Sequence, residues 1–329
     1  MINLSHFQNK KILITGGLGF IGSNLAKRLT ETNAEIILID SLIPEYGGNI
    51  ANVESIKDKV KINISDVRDP FSMKHLIQGA DYLFNLAGQT SHMDSMTDPY
   101  TDLEINGKAQ LSILESCRNY NPDVKIIFAS TRQIYGKPQY LPVDEKHLVQ
   151  PVDVNGINKM AGEWYHILYN NVYGIRSCAL RLTNTYGPFM RVKDARQTFV
   201  GIWIKNLIEN KPFEVWGGDQ LRDFTFADDV VDGLLVAASN ENSNGKIYNL
   251  GGNEIISLKE LAESMISVFG SGSFTVKQFP EERKKIDIGD YYSDWNLIKK
   301  ELGWKPEIKI RDGMKTTLDF YKTNLEKYL

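Results

Sequence analysis

The sequence predicts an α/β fold: a doubly wound parallel sheet with a smaller α/β substrate-binding lid. Three observations predict it. Short apolar runs alternate with amphipathic helical patterns through the first half of the chain. The runs are apolar on both faces, as strands of a parallel sheet covered by helices must be. A glycine-rich turn joins the first run to the first helix, the junction at which such sheets bind phosphate groups.

Taken in order, the strand-like runs are "KILIT" (11–15), "EIILID" (35–40), "KINI" (61–64), "YLFNLAG" (82–88), "KIIFAS" (125–130) and "SCALRLT" (177–183). Helical patterns cover 20–32, 70–78, 100–118 and 153–172. Right-handed crossovers between parallel strands then wind the sheet in both directions. The order becomes less regular after about residue 184, where Gly-Pro, Lys-Pro and Gly-Gly breaks appear. Residues 1–183 are therefore expected to form the nucleotide-binding domain, with a return segment at 223–250. Residues 184–222 and 251–329 are expected to form the lid. No linker separates the two parts, so they should share a large interface.

Composition narrows the partners. The chain has 329 residues, 42% apolar and 24% charged, with a net charge of -3. That balance gives no reason to expect nucleic acid or an anionic membrane. The two cysteines, Cys117 and Cys178, fall in a helix and a strand and read as buried free thiols in a reducing compartment. The start lacks the apolar core of a signal peptide, and no run approaches the ~18 apolar residues of a membrane span. A cytoplasmic protein is expected. The five histidines (6, 75, 92, 147, 166) show no paired ligand spacing, so no metal is expected.

"ILITGGLGFIGSNLAKRL" is the strongest local signal. Gly16, Gly19 and Gly22, with Phe20 and Ile21 between them, follow a strand and open a helix. Glycines there allow a tight turn and let backbone approach a pyrophosphate. Asp40 closes the second strand, 18 residues beyond Gly22, where a carboxylate accepts hydrogen bonds from ribose hydroxyls and repels a 2′-phosphate. No Arg or Lys occurs in "DSLIPEYGGN". NAD is expected rather than NADP. Asp66 and Val67, after the third strand, are placed to meet the adenine, although an Asp there also caps turns.

With these residues the chain resembles the extended short-chain dehydrogenase/reductases, specifically the NAD-dependent nucleotide-sugar epimerases and dehydratases. The likeness runs from end to end and implies a Rossmann-type domain. In that resemblance Leu86, Ala87 and Gly88 lie along the cofactor, and Asn106 steadies the active-site backbone. Thr131 would bond the reacting sugar hydroxyl, while Asn184 would contact the sugar-phosphate region. Arg222 and Arg283 match arginines that hold a diphosphate, for which guanidinium forks are suited. Arg196, in the cationic run "RVKDAR", is a further candidate for phosphate or sugar. The ordinary alternative for each arginine is a solvated surface charge. The resemblance also implies a homodimer through a four-helix bundle built from 100–118 and 153–172.

One residue departs from the pattern. The family's proton-transferring Tyr would stand at position 155, one turn before Lys159, which binds the nicotinamide ribose. Here the residue is Asn155, which hydrogen-bonds but cannot relay a proton. Thr131, Tyr135, His92 or Lys159 would have to do that work. Alternatively, the site has kept its ligands and lost its chemistry, by descent or through an inactivating substitution. The Asp-Glu pair that family dehydratases carry after the Ser-Thr is replaced by Arg132 and Gln133, which disfavours elimination. The expected activity is epimerisation, at C4 through a 4-keto sugar and with an altered proton relay. A nucleotide-sugar 4-dehydrogenase or ketoreductase, and a silent binding protein, remain open.

Overall fold

The computed structural model describes residues 3–196, 198–280 and 286–329. The strands in chain order are β1 (Lys11–Thr15), β2 (Glu35–Asp40), β3 (Lys61–Ile64), β4 (Tyr82–Asn85), β5 (Lys125–Thr131), β6 (Ser177–Leu182), β7 (Asn184–Tyr186), β8 (Phe213–Trp216), β9 (Leu221–Phe226), β10 (Lys246–Leu250), β11 (Ile255–Ser257) and β12 (Phe274–Lys277). Seven form one sheet in the order β10-β6-β5-β4-β1-β2-β3, and every pairing in it is parallel. The predicted doubly wound fold is present. The strand order reverses between β1 and β4, so their carboxyl ends splay apart into a crevice.

The helices are α1 (Phe20–Leu29), α2 (Pro70–Leu76), α3 (His92–Thr97), α4 (Pro99–Leu103), α5 (Ala109–Tyr120), α6 (Val154–Tyr173), α7 (Phe199–Ile208), α8 (Ala227–Ser239), α9 (Leu258–Phe269), α10 (Asn296–Leu302) and α11 (Ile310–Asn324). Both faces of the sheet are covered because alternate strand residues point opposite ways. Ile12 and Ile14 join a core containing Leu25, Val230 and Leu234 of α1 and α8. Leu13, between them, joins Ile113, Leu114 and Tyr169 of α5 and α6. A π-helical turn at Glu104–Lys108 links α4 to α5, so the helix expected at 100–118 is broken by a bulge at Asn106.

Two small sheets, β11-β9-β7 and β12-β8, pack with α7, α9 and α11 around a second core containing Trp203, Phe213, Leu261 and Tyr321. This layer stands over the carboxyl ends of β5 and β6. A buried ion pair ties the parts of the sheet beneath it. Arg181 of β6 grips Glu163 of α6 through two bonds of 2.6 and 3.0 Å, and Ser130 of β5 donates to the same carboxylate at 2.6 Å. No described helix is long and apolar enough to cross a membrane.

Candidate functional site

The glycine turn is shaped by contacts that no side chain survives. Gly16 has φ +67°, and a Cβ there would lie 3.0 Å from the Ala87 backbone. A Cβ on Gly22 would lie 2.2 Å from Gly16 O. Removing either glycine would push α1 off the strand ends. Thr15 of β1 accepts from Leu86 N at 3.0 Å and Ala87 N at 3.1 Å, holding the segment after β4 against the turn. Gly16, Gly19, Phe20, Ile21, Gly22, Asp40, Asp66, Val67, Leu86, Ala87 and Gly88 all line one cavity of about 120 Å³.

Within it, Asp40 accepts from Leu18 N at 3.0 Å and Leu42 N at 2.8 Å; burial raises its pKa. Asp66 is paired with Arg68, whose Nη2 lies 2.6 Å away, so its carboxylate is not free for a ligand in this arrangement. Gly88 meets the far end of the cavity. A methyl group there would lie 2.7 Å from Lys159 Nζ and 2.9 Å from Asn106 Oδ1, and Asn106 Oδ1 is buried without a hydrogen-bond partner. A cradle of backbone closed by a buried cation and an unused acceptor fits a dinucleotide carrying a nicotinamide ribose.

Lys159 is buried and donates to Ala129 O at 3.2 Å. Burial lowers its pKa to about 8, against the opposing field of Asp102. Asp102 is the centre of a network that sequence reasoning missed. Its carboxylate accepts from Asn106 at 3.1 Å, Asn155 at 3.0 Å and Asn158 at 2.8 Å. No sequence signal set it apart: Asp102 lies one helical turn before Asn106, but among other polar residues such as Thr101, Glu104 and Lys108.

Asn155 lines neither cavity. Its Nδ2 is directed at Asp102 and at Gln89 O, 2.8 Å away, and its backbone N donates to Ser95 Oγ at 3.2 Å. Asn106 donates to the same Gln89 carbonyl at 2.9 Å. The Asn155 amide, a group able to hydrogen-bond a hydroxyl, is in this structure turned inward and anchors the segment 89–95. Gln89 and Asp102, already buried acceptors, draw the carboxamide inward, since an unmet buried acceptor costs more than an exposed one.

A second, larger cleft of about 620 Å³ opens beyond Gly88, lined by Ser91, His92, Arg132, Asn184, Arg196 and Arg222 among others. Arg222 is held by Gly289 O and by Leu221 O at 2.9 Å, with Asp287 at 3.6 Å. Burial and the adjacent Arg132 charge lower its pKa to about 10. Arg132 donates to Asn184 Oδ1 at 3.0 Å and stacks over Tyr291, while its Nη1 is buried with no partner. Two guanidiniums this close repel each other, which an anion between them would relieve. Arg132 was read from sequence only as a missing carboxylate; its place in the cleft depends on how β5 ends. Arg196 lies at the rim, 3.4 Å from Asp94. Arg283 lies outside the described residues.

The other proton-relay candidates separate clearly. Thr131 Oγ1 accepts from Gln133 N at 3.2 Å and so caps the turn Arg132–Tyr135. Tyr135 is fully buried; its hydroxyl donates to Asn249 at 2.8 Å and accepts from Arg181 at 2.6 Å. It belongs to the core beneath the cleft. His92, in contrast, lines the cleft, with Nδ1 3.0 Å from Asp153 Oδ2.

Comparison with known proteins agrees with this arrangement. The family model described as NAD dependent epimerase/dehydratase family matches residues 12–251. A putative UDP-glucose 4-epimerase of Methanocaldococcus jannaschii is 34% identical over 95% of this chain and 99% of its own. The CDP-paratose 2-epimerase of Salmonella typhi is 28% identical over 94% and 98%. The UDP-glucose 4-epimerase of Thermotoga maritima, solved with UDP-glucose, superposes with a TM-score of 0.87 at 26% identity, covering 96% of this chain and 99% of that one.

Proposed function

Because this chain belongs to the NAD-dependent epimerase/dehydratase family, we propose that it is a nucleotide-sugar epimerase acting at C4 through a 4-keto sugar, with a proton relay that does not use residue 155. The observation that carries this reading is the cleft itself. Arg132 and Arg222 flank Asn184 beside the cofactor cradle, a setting for a diphosphate and its attached sugar. The two positions after Thr131 hold Arg132 and Gln133, and Gln133 is spent on Asp153 at 2.9 Å. No carboxylate stands there to move protons at C5 and C6.

NAD when bound supplies hydride uptake and return, held by the glycine turn, Asp40, Leu86–Gly88 and Lys159. Lys159 places a positive charge against the cofactor's far end, and Asn106 holds the Gln89 backbone still. The lid aromatics Phe199, Trp203 and Trp216 line the outer part of the cleft and suit a nucleotide base.

The test is NMR analysis of products after incubation with NAD and UDP-, GDP-, CDP- or dTDP-linked hexoses. One inverted centre is expected. A keto sugar would replace this reading with the dehydrogenase one, and intact substrates throughout with a binding protein.

The protein is further proposed to be a homodimer. Tyr100 and Leu103 of α4, Leu111 of α5, and Ile157, Trp164 and Leu168 of α6 are exposed apolar residues on neighbouring helices. A second copy of the same two-helix face would cover them. Trp164→Glu is expected to halve the mass seen by sedimentation equilibrium; an unchanged mass would refute this interface.

A further inference from the structure

Resting on the epimerase reading, we propose that His92 is the proton carrier for the sugar hydroxyl, with Asp153 and Asn155 as its positioning residues. The segment from Gly88 to His92 runs between the two cavities: Gly88 and Thr90 line the cofactor cradle, and Ser91 and His92 line the substrate cleft. The His92 side chain is 39% exposed and lines the cleft, while Nδ1 is buried 3.0 Å from Asp153 Oδ2 without the alignment of a formed hydrogen bond; in the proposal Nε2, on the open edge of the ring, meets the sugar. Asp153 lies behind it with a fully buried side chain. Burial acts to raise the Asp153 pKa, but His92 and the bonds from Gly156 N and Gln133 hold it below its ordinary value. A charged carboxylate 3.0 Å from Nδ1 favours the neutral tautomer with its hydrogen on that nitrogen, the form in which Nε2 is an acceptor.

Asp153 also caps α6, accepting from Gly156 N at 2.7 Å. Two residues on, Asn155 fastens the Gln89 carbonyl and the Ser95 hydroxyl, on either side of His92. The start of α6 therefore orients His92 with one residue and clamps its segment with another. The remaining candidates are worse placed: Tyr135 is in the core, Thr131 caps the turn Arg132–Tyr135, and Lys159 is buried behind Gly88 on the side of the cofactor cradle.

In the forward step the sugar O–H bond breaks and its proton passes to His92 Nε2. The carbinol C–H bond breaks with it, and its electron pair leaves as hydride to a nicotinamide acceptor, so C–O becomes C=O. After the keto sugar turns, hydride returns to the opposite face and the same nitrogen gives back the proton. The charged groups around His92 are Asp153, the cap of α6, behind it, and, in the same cleft, Arg132 after β5, Arg196 with Asp94 at the rim, and Arg222 with Asp287 from the lid.

The experiment compares wild type, His92→Gln and Asp153→Asn in two readouts. The first is turnover on the nucleotide-sugar panel across pH 5–9. His92→Gln should lower kcat by ~10²–10⁴, with ligand affinity and bound NAD unchanged, and erase the acidic limb of the profile. Asp153→Asn, which preserves the cap, should lower kcat by about tenfold and move that limb. The second readout is the NMR titration of His92 with the tightest-binding panel sugar against its bare nucleoside diphosphate. A sugar-dependent change in its titration is expected. Full turnover by His92→Gln would overturn the proposal and leave the epimerase reading standing. Absent turnover by wild type would overturn the epimerase reading, and the titration would then decide His92, an unmoved titration counting against it. No binding of any panel sugar would overturn both.

Discussion

Asn155→Tyr is expected to lose activity rather than restore it, although it would return the family's usual residue to the position. The Asn155 side chain is buried at 2% exposure and fits between Gln89 and Asp102. A phenol in the same direction overpacks that space, at about 1–3 kcal/mol. It also withdraws a donor from the buried Asp102 carboxylate, for which ~1.5–3 kcal/mol is typical. Together these predict a loss of roughly 2.5–6 kcal/mol, measurable by urea unfolding. Turnover should fall about tenfold, because the Gln89 carbonyl beside the His92 segment keeps only the Asn106 donor of the two that hold it. A gain in turnover would mean that the phenol reaches the sugar and that the relay has not moved.

Lys159→Met is expected to make the protein more stable near neutral pH and nearly inactive. The ammonium has a folded-state pKa of about 8 against an ordinary 10.5. Between those values the unfolded chain holds more protons than the folded one, so stability rises with pH across that window. The penalty for burying the charge is full below about pH 8 and fades towards pH 10.5. It corresponds to about 3 kcal/mol, from which ~1 kcal/mol is subtracted for the lost bond to Ala129 O. Methionine fills the space without the charge. Tm should therefore rise at pH 7; as the penalty fades the gain should vanish before pH 10.5, where the lost bond to Ala129 O leaves the variant slightly less stable than wild type. Activity should drop by ~10² or more, because on the proposed reading the cation holds the nicotinamide ribose. Equal Tm values at pH 7 would show that the buried ammonium carries no such cost.

The cofactor cradle was legible in the sequence because its determinants are local. A strand, three glycines and a helix start specify a turn whose geometry depends on the absence of Cβ atoms. Asp40 adds a carboxylate at a distance set by one βαβ unit. Most strands of the first half were legible for a similar reason: they are continuous apolar runs, and such runs form two-faced buried strands, whereas the edge strand β3, KINI, is half exposed. The substrate cleft was legible only in part. Arg222 and Asn184 were named through resemblance, whereas Arg132, which lines the same cleft with its Nη1 unpartnered, was read only as a substitution. Asp102 was invisible, since an Asp in a helix is ordinarily solvated.

What the sequence determined alone was the sheet, its cofactor turn and the fact that residue 155 cannot relay a proton. Only the tertiary structure decided where that residue points and which polar groups surround it. Asn155, Asp102 and Gln89 are separated by 53 and 66 residues, and Asp153 meets His92 across 61 positions, 153 − 92. Periodicity reports which face of one element is apolar. It carries no information about which polar groups from distant elements are buried against one another. Their pairing is set by the cost of leaving a buried donor or acceptor unmet, which exists only once the chain has folded.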